Sequence, residues 1–316
     1  MQKGLDPVGS AYSFDDAVVV ETPLPWKHDI YQQAGALPQG AIDLLALWLK
    51  RYQEGLPYRH GLLMVAPDPQ YSRHGFRRVM HYERPEGAFA QLRKTEYFVP
   101  EDRLGALVWA LFEAQDTLPQ FAPFRAAACD STRDLLVCTH GTVDAACARF
   151  GYPLYNDLRR NHARDDLRVW RVSHFGGHVF APTMLDMPTG HHWAYVEDQQ
   201  AEQIVQRSGD VRALYGHYRG WAGLDEGFLQ AAERELWMRH GWEWFTYLKS
   251  GQFIARDASA GNPGWAEVQL DYTMPAASAP ARYTARVAVR THIHTAHSTA
   301  SAAEYPYPQY TVTELQ

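Results

Sequence analysis

Asp134-Leu-Leu-Val-Cys138, Thr139-His-Gly-Thr-Val-Asp144 with Cys147 just beyond, Arg168-Val-Trp-Arg-Val172 and Ser173-His-Phe-Gly-Gly-His178 decide how this chain is read. The first and third segments are short apolar runs bounded by polar or glycine-containing sequence, and they predict two buried strands. Val143–Asn161, between them, predicts a helix broken around Gly151 and Pro153. Strand, helix and strand in succession are the unit from which parallel α/β sheets are built. In such a sheet the loops leaving the carboxyl ends of neighbouring strands share one crevice, where ligands bind. Cys138 and Cys147 fall in one such loop and His174 and His178 in the next. Gly176 and Gly177 let the second loop turn both imidazoles toward one point, because glycine adopts backbone angles closed to other residues.

The same order of elements is read upstream. Val18-Val-Val-Glu21 predicts a buried strand, Ile42–Tyr52 a helix, and His60–Ala66, Phe76–Tyr82 and Phe89–Phe98 three more strands. A helix then starts at Pro100, with Glu101 and Asp102 in its first turn. Downstream of His178, Val179–Met187 and His191–Val196 predict strands, and two helices are placed at 199–218 and 225–249. Val18–Thr22 and Leu135–Thr139 hold equivalent places in the two series. The expected fold is therefore α/β, with two thioredoxin-like halves in tandem, residues 1–120 and 121–250, and chemistry in the second alone. Residues 251–316 form a C-terminal extension: a hairpin of Trp265–Tyr272 and Tyr283–Val289 joined by Met274–Ala281, then a flexible tail after Ala296.

Composition narrows the function. The 316 residues carry 30 Lys+Arg against 36 Asp+Glu, a net charge of -6, which argues against a nucleic-acid protein with its basic stripe. No run of about 18 apolar residues is present to cross a membrane. Met1–Asp16 lacks the apolar segment of a secretory leader. Three cysteines, an odd number, speak against a disulfide framework and for a reducing compartment, the cytoplasm. Fifteen histidines are many beside them.

Two thiols and two imidazoles suit a transition metal. Tetrahedral zinc is one reading, although zinc fingers space their cysteines by two to four residues and Cys138 and Cys147 are farther apart. A binuclear [2Fe–2S] cluster, two of whose ligands can be histidine, is another. Rieske centres, which use two histidines, pair them in C-x-H and C-x-x-H motifs absent from this chain. A disulfide oxidoreductase is disfavoured because no C-x-x-C occurs.

The run from Cys138 through Asp144 with Cys147, Ser173–Ala181, and Pro188-Thr-Gly190 closely resembles the sucrase/ferredoxin-like family, and Val18–Trp26 resembles its N-terminal strand and Pro-Trp turn. That family includes thioredoxin-like ferredoxins with non-Rieske [2Fe–2S] clusters held by two histidines. The resemblance implies Cys138, Cys147, His174 and His178 as cluster ligands, with both Cys on one iron and both His on the other. It implies one-electron chemistry coupled to protons, with a potential that falls as pH rises, since an imidazole bound through one nitrogen keeps another that titrates. It also implies a carrier or reductase component rather than a stand-alone enzyme. No G-x-G-x-x-G follows a strand, so a separate redox partner protein must supply the electrons. No carboxylate pair supports glycoside hydrolysis.

Other candidates receive plainer readings. Cys129 is expected as a small buried hydrophobe, and Asp144 as the cap of the helix bearing Cys147. His140 is read as a donor to a cluster sulfur, as a contact for a partner, or as a solvent-facing loop residue. His191 and His192 face opposite sides of a strand and cannot chelate together. His292, His294 and His297 are surface histidines of the tail. Trp237, Trp242, Trp244, Phe245 and Tyr247 are core packing.

Overall fold

The apolar runs become strands of one mixed sheet, covered on both faces, which is why several lack alternation. A computed structural model describes residues 4–258, 263–275 and 279–314. Its strands β1 (Asp16–Glu21), β2 (His60–Val65), β3 (Arg77–Glu83), β4 (Arg93–Val99), β5 (Arg133–Cys138), β6 (Leu167–Val172), β7 (Met184–Met187), β8 (His191–Trp193) and β9 (Tyr218–Trp221) lie in the order β4-β3-β1-β2-β6-β5-β7-β8-β9. β1 runs parallel to β2 and antiparallel to β3, which pairs antiparallel with β4. β5 runs parallel to β6 and antiparallel to β7, which pairs antiparallel with β8. The two sets meet between β2 and β6 at Val65 and Val172.

Helices α1 (Gln39–Gln53) and α2 (Glu101–Phe112) cover one face of the first set. There Leu44, Trp48, Leu104 and Leu107 bury against Val18, Val20 and Met64. Helix α3 (Ala145–Asn161) links β5 to β6, and α4 (Asp198–Gln206) follows β8. Helix α5 (Glu226–His240) lies between the large sheet and a second, four-stranded antiparallel sheet of β10 (Leu248–Arg256), β11 (Trp265–Thr273), β12 (Ala281–Ser298) and β13 (Ser301–Glu314). Contact on both sides explains why buried residues surround α5 rather than marking one stripe. A buried carboxylate joins the two sets of strands. Asp134 of β5 accepts from Tyr82 (2.8 Å) and Lys94 (2.5 Å) of the first, and from Arg168 and Trp170 of β6 (2.8 Å each).

Several boundaries differ from expectation. The helix through Gly151 and Pro153 is unbroken, for Gly151 lets it press on β5 and Pro153 is accommodated inside it. Phe89 is not in the strand with Phe98: its backbone pairs with Lys249 instead. Val179–Met187 divides into a 3-10 turn, His178–Phe180, and β7. The 199–218 helix stops at Gln206, where Arg207 takes a left-handed conformation, and a further 3-10 turn leads into β9. The 225–249 helix ends at His240, because Gly241 with φ 63° turns the chain; Trp237, Trp244, Phe245 and Tyr247 are buried there.

The flexible tail is the main correction. Residues after Ala296 complete β12, turn, and return as β13. Pro306 and Pro308 are tolerated because β13 is an edge strand. Residues 276–278 of the Met274–Ala281 connection, 1–3 of the N-terminus and 315–316 of the tail lie outside the described residues.

Candidate metal centre

Cys138 is the last residue of β5 and pairs in register with Val172, the last of β6, so His174 follows two residues beyond the same sheet edge. Asp144 caps α3, its carboxylate accepting from the N–H of Ala146 (2.9 Å), and this sets Cys147 in the first turn. The helix lies so close to the strand that a Cβ on Gly151 would sit 2.0 Å from the Cys138 carbonyl oxygen. Strand end and helix start thus bring the two thiols together, both buried in the core at 1% exposure.

The Nδ1 of His174 lies 3.8 Å from the Cys138 Sγ and 3.7 Å from the Cys147 Sγ. The three donor atoms lie within 4.8 Å of one another. His178 stands one ring farther out, its Nδ1 3.4 Å from the His174 Nε2. Backbone chemistry sets the tautomers. The His178 Nε2 meets the carbonyl of His297, which can only accept, so that nitrogen carries the proton. In the neutral ring His178 Nδ1 then accepts from His174 Nε2–H, which leaves the His174 Nδ1 lone pair facing both sulfurs. A second N–H held by a backbone carbonyl is how metal-binding histidines are commonly oriented.

The neighbouring Cys147 holds the Cys138 thiol well below its ordinary value, against burial, which raises it. Cys147 is pushed far up, by Cys138 first and by its own burial second. Burial, then the neighbouring His174, lowers His178 and keeps its ring neutral. Two buried thiols and an imidazole form a soft donor set suited to iron or zinc. A tetrahedral ion bonding sulfur at about 2.3 Å and nitrogen at about 2.0 Å holds them about 3.5 Å apart, close to the observed spacings.

Other named residues fall into place around the centre. His140 is buried and neither donates to sulfur nor faces solvent: its Nε2–H donates to the Lys27 carbonyl (2.8 Å), and its Nδ1 accepts from the His174 N–H (3.3 Å). Trp26 of the Pro-Trp turn packs edge-on against it. Cys129 is half-buried on a 3-10 turn, outside the donor group. His191 and His192 are buried apart, one stacked on Phe245, the other edge-on to Phe14 and Phe175. His292 and His294 are exposed.

Sequence reasoning missed the β12–β13 turn. Besides the His297 carbonyl, Ser298 Oγ (3.0 Å) and the Thr299 N–H (2.8 Å) donate to Asp144, and the Tyr307 hydroxyl is hydrogen-bonded to the His297 Nδ1 (2.7 Å). The alternation of Tyr283–Val289 signalled the start of β12, but nothing local marks where its far end lands.

His174 borders a cavity of about 530 Å³ with Tyr12, Tyr31 and Tyr58, and His178 another of about 350 Å³ with His297 and Tyr307. The imidazole side of the centre is thus the open side. A cavity of about 1040 Å³ borders Arg133 at the opposite end of β5 from Cys138 and is not part of the centre.

An α/β protein that gathers buried thiols and an imidazole at the carboxyl ends of two parallel strands belongs to the class with a candidate thiol–imidazole metal centre. More particularly, the chain belongs to the sucrase/ferredoxin-like family, whose model matches residues 7–220. Cys138, Cys147, His174 and His178 all fall inside that match, and the β12–β13 turn falls outside it. No curated protein and no solved structure matches the chain.

Proposed function

We propose that this protein transfers electrons and carries a [2Fe–2S] cluster held by Cys138, Cys147, His174 and His178. The supporting observation is the meeting of both buried thiols with the His174 lone pair, His178 standing next in line. When bound, such a cluster supplies a one-electron couple. The protein's part is to bury the sulfurs, hold the His178 Nε2–H on the His297 carbonyl so that its Nδ1 is the nitrogen a cluster would take in place of the bond from His174, and leave the histidine side open to a partner. Proton coupling belongs to this reading: the potential falls as pH rises. The electrons come from a separate redox partner protein, and the chain acts as a carrier or reductase component in the cytoplasm. No helix among the described residues is long and apolar enough to cross a membrane.

The tandem reading is kept with it. Residues 1–120 and 121–250 are two thioredoxin-like halves, supported by their shared strand pairing, and 251–316 form an extension that reaches back to the centre.

Iron and acid-labile sulfide analysis of anaerobically purified protein tests the function, with a red-brown colour bleached by dithionite as the expected result. Zinc without sulfide would sink it. A single structural zinc is the second reading, favoured by the compact spacing of the two sulfurs and one nitrogen.

A further inference from the structure

Arg219 lies in β9 beneath the His-Phe-Gly-Gly-His loop and is 2% exposed. Its guanidinium donates to the Gly176 carbonyl (3.1 Å) and to the Ser10 carbonyl and hydroxyl (2.6 and 3.1 Å). A Cβ on Gly177 would sit 2.5 Å from the guanidinium carbon. The second glycine of the loop is therefore required by the approach of this cation as well as by its own φ of 81°.

All these acceptors are neutral. The other buried arginines have carboxylates: Arg78 meets Glu96, Arg168 meets Glu96 and Asp134, and Arg234 meets Asp6. Among the described residues no carboxylate pairs with Arg219. A buried cation without a counter-charge is costly, and burial lowers Arg219 to about 10, with Cys138 the first group acting against that. Cys138 of the candidate centre is thus the first group whose negative charge acts on Arg219, ahead of the Tyr195 hydroxyl.

We infer that Arg219 is the buried counter-charge of the metal–thiolate centre, a positioning residue that holds the histidine loop and favours the reduced form. The inference rests on the proposed cluster. An added electron makes the centre more negative, so a fixed cation beside it raises the potential. A neutral side chain could satisfy the same carbonyls, so the two roles separate by charge.

The test measures the midpoint potential of the anaerobically purified full chain, with iron and sulfide content and the electron-spin-resonance spectrum recorded for each variant. Arg219→Gln is expected to shift the electron equilibrium at least tenfold toward the oxidised form, about 59 mV for a one-electron couple. Arg219→Lys, which keeps the charge, is expected to stay within threefold of wild type. Ser10→Asp places a carboxylate beside the guanidinium and is expected to reproduce the tenfold shift with Arg219 in place, whereas Ser10→Ala leaves the potential unchanged. Should Arg219→Gln fail to fold, the two Ser10 variants decide the matter. An unchanged potential in a cluster-bearing Arg219→Gln or Ser10→Asp protein overturns the inference, as does an equal shift in Arg219→Lys. Wild-type protein lacking iron and sulfide overturns the cluster reading beneath it, a distinguishable failure.

Discussion

Gly151→Ala sets two effects of opposite sign against each other at the place where the two cysteines are brought together. In a helix interior alanine is better than glycine by about 1 kcal/mol, so on helix propensity alone the substitution stabilises. At this position, however, the added Cβ would lie 2.0 Å from the Cys138 carbonyl oxygen and 3.1 Å from its carbon. Both are backbone atoms of a buried strand, so no side-chain rotation relieves the overlap. Restoring ordinary contact requires α3 to withdraw from β5 by more than about 1 Å, and overpacking of this kind costs about 1–3 kcal/mol. Because backbone must move, we expect the upper end, for a net loss of about 2 kcal/mol and a Tm lowered by several degrees. The shift carries Cys147 away from Cys138, so affinity for added zinc or iron falls as well. Urea unfolding of the metal-free chain gives the stability term, and a competition titration gives the affinity. Gly216→Ala is the control, since a Cβ there meets nothing within 4 Å; it is expected within about 0.5 kcal/mol of wild type. If Gly151→Ala proves as stable as wild type, or gains the stability alanine normally confers, the close seating of α3 on β5 is wrong.

Asp134→Asn leaves Arg168 and Lys94 buried beside a neutral group and should cost about 3–5 kcal/mol at pH 7. Burial alone would raise the Asp134 carboxyl, but Arg168 and Lys94 outweigh it and hold it well below the usual range. Its stabilisation is therefore complete above the unfolded value of about 3.9 and is lost as pH falls through the lower folded value. The gap between wild type and variant should narrow below about pH 4, and Tm followed against pH shows whether it does; a widening gap contradicts the sign. Asp144→Ala removes the cap of α3 and the acceptor for Ser298 and Thr299, so a loss of about 1–2 kcal/mol should come with faster protease cleavage at the β12–β13 turn; cleavage no faster than in wild type means the turn is held by other contacts. On the proposed reading, removal of the metal should lower stability by about 2.7 kcal/mol for a ligand present at 100 times its Kd, and Cys138→Ala protein should be insensitive to the same chelation.

Much of the centre was legible along the chain because its parts are local. The run ending at Cys138, the Asp144 cap and the paired glycines each carry a signature within a few residues, and the crevice rule joins the two loops. Val18–Thr22 and Leu135–Thr139, read as holding equivalent places, lie on β1 and β5, each of which has one parallel neighbour. Illegible were contacts between distant segments whose residues look ordinary. His140 reads as any loop histidine until Lys27 and the His174 N–H are placed on its two nitrogens. Arg219 reads as any strand arginine until its neighbours prove to be carbonyls instead of carboxylates.

The sequence by itself determined the α/β class, the buried strands of the large sheet, the family resemblance, and which thiols and imidazoles are candidates. It did so because apolar periodicity, capping residues and glycine positions act over short spans. Only the tertiary structure decided that His174 sits between the thiols with His178 one ring behind. It also decided that the supposed tail returns as β13, so that its turn grips Asp144 and His178. The turn's contacts join residues more than a hundred positions apart, and all these pairings are selected by burial and hydrogen-bond satisfaction in the folded chain, which leave no local mark.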